Sequence, residues 1–429
     1  MKNFQLIFIV VFIASAIFGI FVFSGAIPIG NDGGDGSLGT VVLWGTVKSG
    51  TIAPILEAFN NAHPTFTVVY VEKNADNFDE ELLEALATGT GPDLIFLPDN
   101  LVSKYENKIV TVPYQSYPLS AFKSNFAGAG EVFLTSKGVL AFPLTINPLM
   151  MYYSRSMLDA NSIVFPPAYW DEFEKIVPTL TKKDESNKIT KSAVALGDFQ
   201  NIAHAKDIIA TMFMQAGNPI VSEKEGFFSA DLNSPSASVN LGSVLEFYAG
   251  FADPNSSVYS WNKSFPNSSE AFSREDLAFY FGFASELPTL INRNPNQNFL
   301  VSSFPQLRGS NFKLTGAEVL GVAVVASSKN FNTALTAAGL LATEDFALTL
   351  SEALSVVPAR RNLLASKPTD AYYSTFYDSA LFSRSWRDPA DKETDDIFRR
   401  MIDSVLTNNL SVRDALNEAT NRLNLLLIK

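Results

Sequence analysis

Short apolar runs and helix-like hydrophobic patterns alternate along residues 41–97, and this alternation limits the fold more than any other feature. The runs of strand length lie at 41–44, 66–71 and 94–97. Between them, apolar residues recur at helical spacing, and helical crossovers between successive strands require a parallel sheet. The sequence therefore predicts an α/β fold. Ligands of such sheets bind beyond the carboxyl ends of the strands, where Trp44 and Asp99 lie.

Length and composition narrow the class of protein further. A chain of 429 residues predicts two lobes, because single cores stop growing at roughly 250 to 300 residues. The absence of cysteine and the presence of only two histidines exclude disulfides, Cys-ligated metals and His-rich metal sites. A formal charge of -12 argues against nucleic-acid binding. The G-x-G-x-x-G spelling at 34–39 precedes a strand rather than joining a strand to a helix, so it does not indicate a dinucleotide site. We therefore predict no cofactor and no metal.

The N-terminal segment, residues 1–28, differs from the rest of the chain. Lys2 precedes an apolar run over 4–23, which matches the thickness of a bilayer core. The lysine end is expected in the cytoplasm and the following chain outside it, at the cell membrane. The length of the run favours a retained transmembrane anchor, while cleavage after Ala26 would give a secreted protein. The Gly-rich residues 29–39 are predicted to be a flexible linker.

Three of the four tryptophans, Trp44, Trp261 and Trp386, lie in loop-like surroundings rich in Ser, Asn, Gly or Pro. Trp170 begins an amphipathic helix and is assigned to packing. Rings in a cleft stack on the apolar faces of sugars, while neighbouring carboxylates and amides bind the hydroxyl groups. Each loop tryptophan fits the edge of a core equally well.

Several segments, in their order and spacing, resemble one family. They are VVLWG at 41–45, TGPDL at 90–94 with Asp99, AFPLTINPL at 141–149, YYSR at 152–155, PPAYWDEF at 166–173, QAG at 215–217, FYFGF at 279–283 and PQ at 305–306. The chain is similar to the extracytoplasmic solute-binding proteins of ABC transporters, the family that includes the maltose-binding and other carbohydrate-binding proteins. The resemblance covers nearly all of residues 40–429.

This resemblance implies a periplasmic-binding-protein-like fold. Two lobes, each a mostly parallel sheet flanked by helices, are joined by about three hinge crossings, expected near 145–148, 304–305 and 345. Lobe 1 would comprise 40–145 with 305–345, and lobe 2 would comprise 146–304 with 346–429.

The resemblance also implies a function without catalysis. A monomer would capture a small polar solute, a sugar or oligosaccharide, between its lobes and present the closed form to an ABC permease. The expected ligand contacts are Trp44, Asp99, Asn147, Tyr153, Trp261, Phe283 and Trp386. Asp99 equally fits a helix cap, and Tyr153 equally fits hinge packing.

The sequence also fits other ligands and two other classes of protein. The segment 281–286 lacks the tryptophan that is usual in the family and adds an acid, Glu286, which leaves room for a smaller ligand or a peptide. An anchored extracellular glycan hydrolase would need two facing carboxylates, for which Asp99 and Glu286 are the candidates. A sensory receptor without a transport role would need only the binding cleft.

Overall fold

The structure, a computed structural model, describes residues 38–233 and 239–428. The predicted anchor at 1–28 and most of the predicted linker at 29–39 lie outside the described residues. In the described ranges no helix combines the length and the apolar character needed to cross a membrane.

Strands and helices alternate through most of the described chain. The strands are β1 (Thr40–Gly45), β2 (Thr67–Glu72), β3 (Leu94–Pro98), β4 (Val112–Pro113), β5 (Gly138–Val139), β6 (Phe142–Ser154), β7 (Lys182–Lys183), β8 (Ile189–Val194), β9 (Val221–Lys224), β10 (Phe227–Ala230), β11 (Leu277–Phe283), β12 (Phe299–Ser303), β13 (Thr315–Val324), β14 (Val357–Pro358) and β15 (Ser383–Arg384). The α-helices are α1 (Ser49–Ala62), α2 (Phe78–Thr88), α3 (Val102–Tyr105), α4 (Leu119–Asn125), α5 (Arg155–Ala160), α6 (Phe173–Leu180), α7 (Ala205–Gln215), α8 (Leu241–Gly250), α9 (Ser268–Ser273), α10 (Leu287–Arg293), α11 (Phe331–Leu341), α12 (Glu344–Ala353), α13 (Arg361–Ala365), α14 (Ala371–Leu381), α15 (Asp391–Leu406) and α16 (Val412–Leu427). Short 3₁₀ helices lie at Asp99–Leu101, Glu106–Lys108, Gly128–Phe133, Trp170–Glu172 and Ala284–Glu286.

The N-terminal α/β prediction is confirmed. Strands β2, β1 and β3 are adjacent and parallel, and α1 and α2 form the crossovers between them. Helix α1 buries the four residues whose spacing predicted its apolar face, Ile52, Ile55, Leu56 and Phe59. These side chains cover the sheet, so the helix is stabilised mainly by this packing.

One sheet runs through the whole described fold, in the order β2-β1-β3-β13-β6-β11-β8-β7, with β12 and β14 also pairing with β6 and β15 pairing with β13. Strand β6 joins the two parts of this sheet. Its first half pairs with β13, and its second half pairs with β11 and β12. Asn147 and Pro148 therefore lie inside a continuous strand, at the point where β6 passes from one part of the sheet to the other and where the first crossing was expected, near 145–148.

The second part of the sheet differs from the mostly parallel arrangement that we predicted. Only β11 and β8 pair in parallel, while β6 is antiparallel to both β11 and β12. The direction of β6 is set by its pairing in the first part of the sheet. Strands β11 and β12 run in the opposite direction beside its second half.

We call the part built on β1–β3 lobe 1 and the part built on β8 and β11 lobe 2. The chain stays with lobe 1 beyond residue 345, where the sequence predicted the third crossing. The Phe346 ring of α12 packs edge-on against Phe59 of α1, with ring centroids 5.5 Å apart. Arg361 of α13 donates to the Phe126 carbonyl at 2.8 Å. Lobe 1 thus extends through Ala365, while α15 and α16 pack against α7 and α8 in lobe 2.

A candidate ligand-binding cleft between the lobes

A cavity of about 890 Å³ lies between the two lobes. Its floor is made by the strands that connect the lobes, β6 and β13, and lobe 1 contributes the carboxyl end of β3. Lobe 2 contributes one face of α7, the loop before it and the first turns of α15. Polar residues from these elements line the cavity, among them Asp99, Asn100, Asn147, His204, Lys206, Asp207, Glu318, Arg384, Asp388, Asp391 and Arg399.

Asp99 directly follows β3, where the α/β pattern placed a ligand contact. Its side chain is buried, and the Ser385 hydroxyl donates to Oδ2. Burial raises the pKa of Asp99 to about 7, although the hydrogen bonds from Ser385 and from the Val319 backbone act in the opposite direction. The negative charge of Asp207 adds to the rise. Asp99 therefore holds a proton near neutral pH far more readily than an ordinary aspartate.

Asn147 lies at the centre of the connecting strands. Its Nδ2 donates to Glu318 Oε2 at 2.8 Å and to Ser285 Oγ at 3.0 Å, while its Oδ1 accepts from the Ser285 backbone at 2.9 Å. Glu318 is exposed to the solvent in the cleft. Protein nevertheless surrounds it closely enough that desolvation raises its pKa to about 7, and the charges of Asp207 and Asp99 act in the same direction.

The lobe 2 wall is formed by the start of α7. His204 occupies the N-cap position with φ of 58°, a left-handed conformation that few side chains adopt, and its Nε2 lies 2.8 Å from Glu286 Oε1. Burial alone lowers the pKa of His204, but the hydrogen bond and charge of Glu286 outweigh it and raise that pKa. His204 thus occupies the N-cap position while its side chain bonds Glu286 instead of capping the helix backbone.

Lys206 is a buried cation that joins α7 to the start of α15. Its Nζ donates to Asp388 Oδ2 at 3.0 Å and to Asp391 Oδ1 at 2.5 Å, with Thr394 Oγ1 at 3.3 Å. Thr394 also donates to Asp388 Oδ2 at 2.8 Å. This network fixes the segment before α15, because a buried charge is stable only when its partners stay in place.

Trp386 belongs to that fixed segment and lines the cavity. Its ring is half-buried and packs against Phe398 of α15, with centroids 6.0 Å apart. Phe199 provides a second ring at the cavity wall. The cleft therefore combines two aromatic rings with polar groups from both lobes, which is the usual composition of a small-molecule site.

Three of the seven predicted contact residues, Asp99, Asn147 and Trp386, line this cavity. Trp261 does not: it is fully buried, stacks on Phe265 at 4.5 Å and donates its indole N–H to Asn201 Oδ1 at 2.9 Å. The Ser- and Asn-rich surroundings did indicate a loop, but that loop folds back over the lobe 2 core.

The other three predicted residues also lie outside the cavity. Trp44 is half-buried under the Lys73 ammonium, which lies 3.7 Å from the ring centroid. Tyr153 is buried on β6 opposite Phe279. Phe283 is buried with its ring 4.7 Å from that of His204, so it supports a cavity residue from behind. Trp170, assigned to packing, is buried and donates to Gln215 Oε1 at 2.8 Å.

Most of the charged residues that line the cavity were not predicted from the sequence. Glu318 had a usable signal, because it is the single charged residue in the apolar strand β13. Lys206 and Asp207 had none, since charged residues in the first turn of a helix are common. No group of His, Asp or Glu side chains suited to a metal ion occurs in the described residues.

Glu286, the second acid considered for a hydrolase, is not among the lining residues of this cavity. Its Oε1 contacts His204 and accepts from the Phe283 backbone at 2.7 Å, and its Oε2 accepts from the Tyr280 hydroxyl at 2.5 Å. These contacts, His204 first, lower the pKa of Glu286 although burial raises it. A carboxylate held this way positions His204 and does not face Asp99 across the cleft.

Solved sugar-binding proteins have a similar fold. A cyclo/maltodextrin-binding protein complexed with maltotetraose gives a TM-score of 0.72 at 16% identity, covering 92% of this chain and 98% of that chain. The sugar-binding protein MalE from Xanthomonas citri gives 0.72 at 16% identity, with 90% and 97% covered. The cyclic alpha-maltosyl-1,6-maltose binding protein from Arthrobacter globiformis gives 0.74 at 15% identity, with 90% and 98% covered. At such low identities the likeness shows the fold alone.

Sequence comparison identifies the family. The curated proteins include no significant match to this sequence. The pattern that characterises bacterial extracellular solute-binding proteins matches residues 55–374, about three quarters of the chain, and the two-lobed fold agrees with it. The chain belongs to the family of bacterial extracellular solute-binding proteins.

Proposed function

We propose that this chain is the membrane-anchored receptor of an ABC importer and captures a sugar or oligosaccharide between its lobes. Membership of the solute-binding family supports capture of a solute outside the cytoplasm. The apolar run at 4–23 supports retention at the membrane, and the resemblance to the receptors of ABC transporters supports delivery to a permease.

The composition of the cleft carries the proposal. The half-buried Trp386 ring offers a flat apolar surface, and the carboxylates and amides of Asp99, Asn147 and Glu318 can accept or donate at hydroxyl groups. A volume of about 890 Å³ lies within the range of roughly 300 to 1,000 Å³ that is usual for small-molecule sites. Saccharides, with apolar C–H faces and hydroxyl edges, fit both kinds of surface. The neighbour with maltotetraose bound makes an oligosaccharide a natural first candidate.

Closure of the lobes provides the signal for transport. A ligand that contacts Asp99 in lobe 1 and Lys206 or Trp386 on the lobe 2 side gains the second set of contacts only when the lobes are close together. It therefore favours the closed state by the free energy of those extra contacts. Micromolar affinity needs about 8 kcal/mol net, which stacking and several hydrogen bonds can provide in a preformed cleft. The ligand leaves chemically unchanged.

A thermal-shift screen tests this proposal. The full chain, purified in a mild detergent, is heated with mono- and oligosaccharides, polyols, amino acids and short peptides at millimolar concentration. Binding to the native state raises the melting temperature. A ligand at a hundredfold excess over its Kd stabilises the native state by about 2.7 kcal/mol. We expect stabilisation by at least one saccharide. Stabilisation by amino acids or peptides alone would contradict the proposal, and so would release of a cleaved saccharide.

A further inference from the structure

The short segment 385–388 touches lobe 1 at two places. The Ser385 hydroxyl donates to Asp99 Oδ2, and Arg387 Nη2 lies 3.4 Å from Glu106 Oε2. Asp99 and Glu106 begin the two short 3₁₀ helices that follow β3, at the cleft end of lobe 1. Both contacts therefore join side chains of the two lobes directly.

Arg387 itself belongs to lobe 2. The next residue, Asp388, accepts from Lys206 of α7 at 3.0 Å. The Arg387 guanidinium lies over the ring of Phe228 in β10, 4.4 Å from its centroid, and β10 packs against α16. Arg387 is thus fixed to lobe 2 and Glu106 to lobe 1, so these two side chains must separate when the lobes open.

The guanidinium of Arg387 lacks hydrogen bonds at this boundary. The side chain is only 8% exposed, and within the described part of the chain neither Nε nor Nη2 has a hydrogen-bond partner. Glu106 is close, but its position does not satisfy the geometry of a hydrogen bond. A buried donor without an acceptor shifts the population away from the state that buries it by about five- to one-hundredfold. Arginine cannot avoid this cost by losing its proton.

The neighbouring charges do not compensate for the loss of water. Burial lowers the pKa of Arg387, although the negative charges of Glu106 and Glu223 act in the opposite direction. The cation is therefore less stable in this position than in water. An ion pair of this kind is unfavourable overall, because desolvation exceeds the attraction between the charges. Glu106 is a quarter exposed and keeps its contact with solvent.

We propose that Arg387 is a positioning residue that opposes closure of the lobes and thereby lowers the affinity of the cleft for its solute. When Glu106 moves away with lobe 1, water reaches the guanidinium and hydrates its two unpartnered N–H groups. The unliganded chain therefore favours the open arrangement. The apparent affinity of a solute that binds the closed form is reduced by the fraction of chains that are closed. This inference does not depend on which solute binds.

Spin labels can measure this balance, because the chain contains no cysteine of its own. Glu80→Cys in the first turn of α2 and Glu393→Cys in the first turn of α15 place one exposed label on each lobe. Pulsed electron–electron double resonance on the full chain in mild detergent, without any solute, gives the populations of the short and the long distance. With Arg387 intact, we expect the long distance of the open arrangement to dominate.

Neutral variants of Arg387 provide the comparison. Arg387→Met removes the charge and keeps an unbranched side chain over Phe228, so we expect the ratio of closed to open chains to rise at least about tenfold. Arg387→Gln is a second neutral variant and should change the ratio in the same direction. Arg387→Lys keeps the positive charge and should stay within about threefold of the original ratio. Arg413→Met, at an exposed position of α16, is the matched control and should leave the ratio unchanged.

The opposite shift would overturn the inference. If Arg387→Met and Arg387→Gln populate the open arrangement more, the contact with Glu106 holds the lobes together. An unchanged ratio, or an equal rise in Arg387→Lys, would show that the buried charge does not control closure. Urea denaturation of each variant detects a purely structural role, which would lower the free energy of unfolding without changing the ratio. Failure of both neutral variants to fold would also contradict the inference. Because no solute is present, failure to bind a saccharide counts against the proposed function alone.

Discussion

Trp261 and Trp386 have the same kind of sequence context but opposite roles in the structure. Both lie in polar, irregular segments, yet the Trp261 ring is fully buried on Phe265 and the Trp386 ring is half-buried at the cleft. The difference comes from what holds each segment. Hydrogen bonds to Asn201 and to the Phe251 carbonyl hold Trp261 in the core. The Lys206 network instead holds the neighbourhood of Trp386 at the cavity wall. The contacts that hold a loop therefore decide whether its tryptophan is buried or faces the cleft, and its neighbours in sequence do not.

The largest effect should come from Trp261→Ala. Removing a fully buried indole leaves a cavity and an unpaired Asn201 oxygen, so we expect a loss of about 3 to 5 kcal/mol in the free energy of unfolding. Urea denaturation followed by circular dichroism measures this loss. A loss below about 1 kcal/mol would mean that the ring is not part of the core and would remove the contrast between the two tryptophans.

The second-largest effect is expected for Lys206, whose network holds the segment that carries Trp386. Lys206→Met fills a similar volume but leaves the buried Asp388 without its cation, so we expect about 3 kcal/mol of destabilisation. The same variant should weaken saccharide binding, because the segment that carries Trp386 loses its support. Lys392→Met, at an exposed position of α15, is the control and should have little effect on stability. Normal stability in Lys206→Met would show that the network does not hold this segment.

A smaller effect on stability, but a clear one on binding, is expected for Trp386→Ala. The ring is half-buried, so we expect less than about 1.5 kcal/mol of destabilisation. Affinity for the best saccharide of the thermal-shift screen should fall about tenfold, which corresponds to 1.4 kcal/mol. Calorimetry at a temperature where the variant is folded gives the affinity. Unchanged affinity would place Trp386 outside the ligand site.

The smallest effect concerns His204, which lines the cleft but bonds to the interior Glu286. Because the pKa of His204 is raised, its contribution to stability is complete below its unfolded pKa of about 6.5 and is lost as the pH rises through the folded value. The pKa of Glu286 is lowered, so its contribution is present above its unfolded value and is lost as the pH falls.

Together the two shifts predict that the pair stabilises the fold most between about pH 4.5 and 6.5. His204→Gln should therefore lose under about 1 kcal/mol at pH 5.5, and a smaller amount at pH 8.5. Urea denaturation at both values checks this. A larger loss at pH 8.5 would mean that the neutral ring, and not the ion pair, provides the stabilisation.

Local patterns in the sequence predicted the elements of lobe 1 well. The spacing of Ile52, Ile55, Leu56 and Phe59 defined α1 and its buried face, because amphipathic periodicity records which side of a helix meets the core. The same periodicity in α12 could not say which lobe its apolar face would cover. The predicted third crossing at 345 therefore came too early: the contact between Phe346 and Phe59 joins residues far apart in sequence.

The candidate site was predictable only where topology or family resemblance located it. Asp99 follows a strand of a parallel sheet, Asn147 came from the resemblance, and Trp386 came from its loop-like surroundings together with the resemblance. Asp207 and Lys206 could not be found, since their importance depends on which charges face them across the cleft. Pro143 and Pro148 lie inside β6, although proline usually interrupts a central strand.

The continuity of β6 through both lobes determines how they can rotate relative to each other. A loop hinge concentrates rotation in a few backbone torsions, but β6 and β13 remain hydrogen-bonded to each other across the boundary. Rotation must then be spread as a small change of twist over many residues of this ribbon. Pro143 and Pro148 lack the N–H groups that would stiffen it further, and the register shift at Leu320/Gly321 gives it one irregular point. Opening and closing should accordingly behave as elastic torsion of a two-stranded ribbon, in which no single residue serves as the pivot.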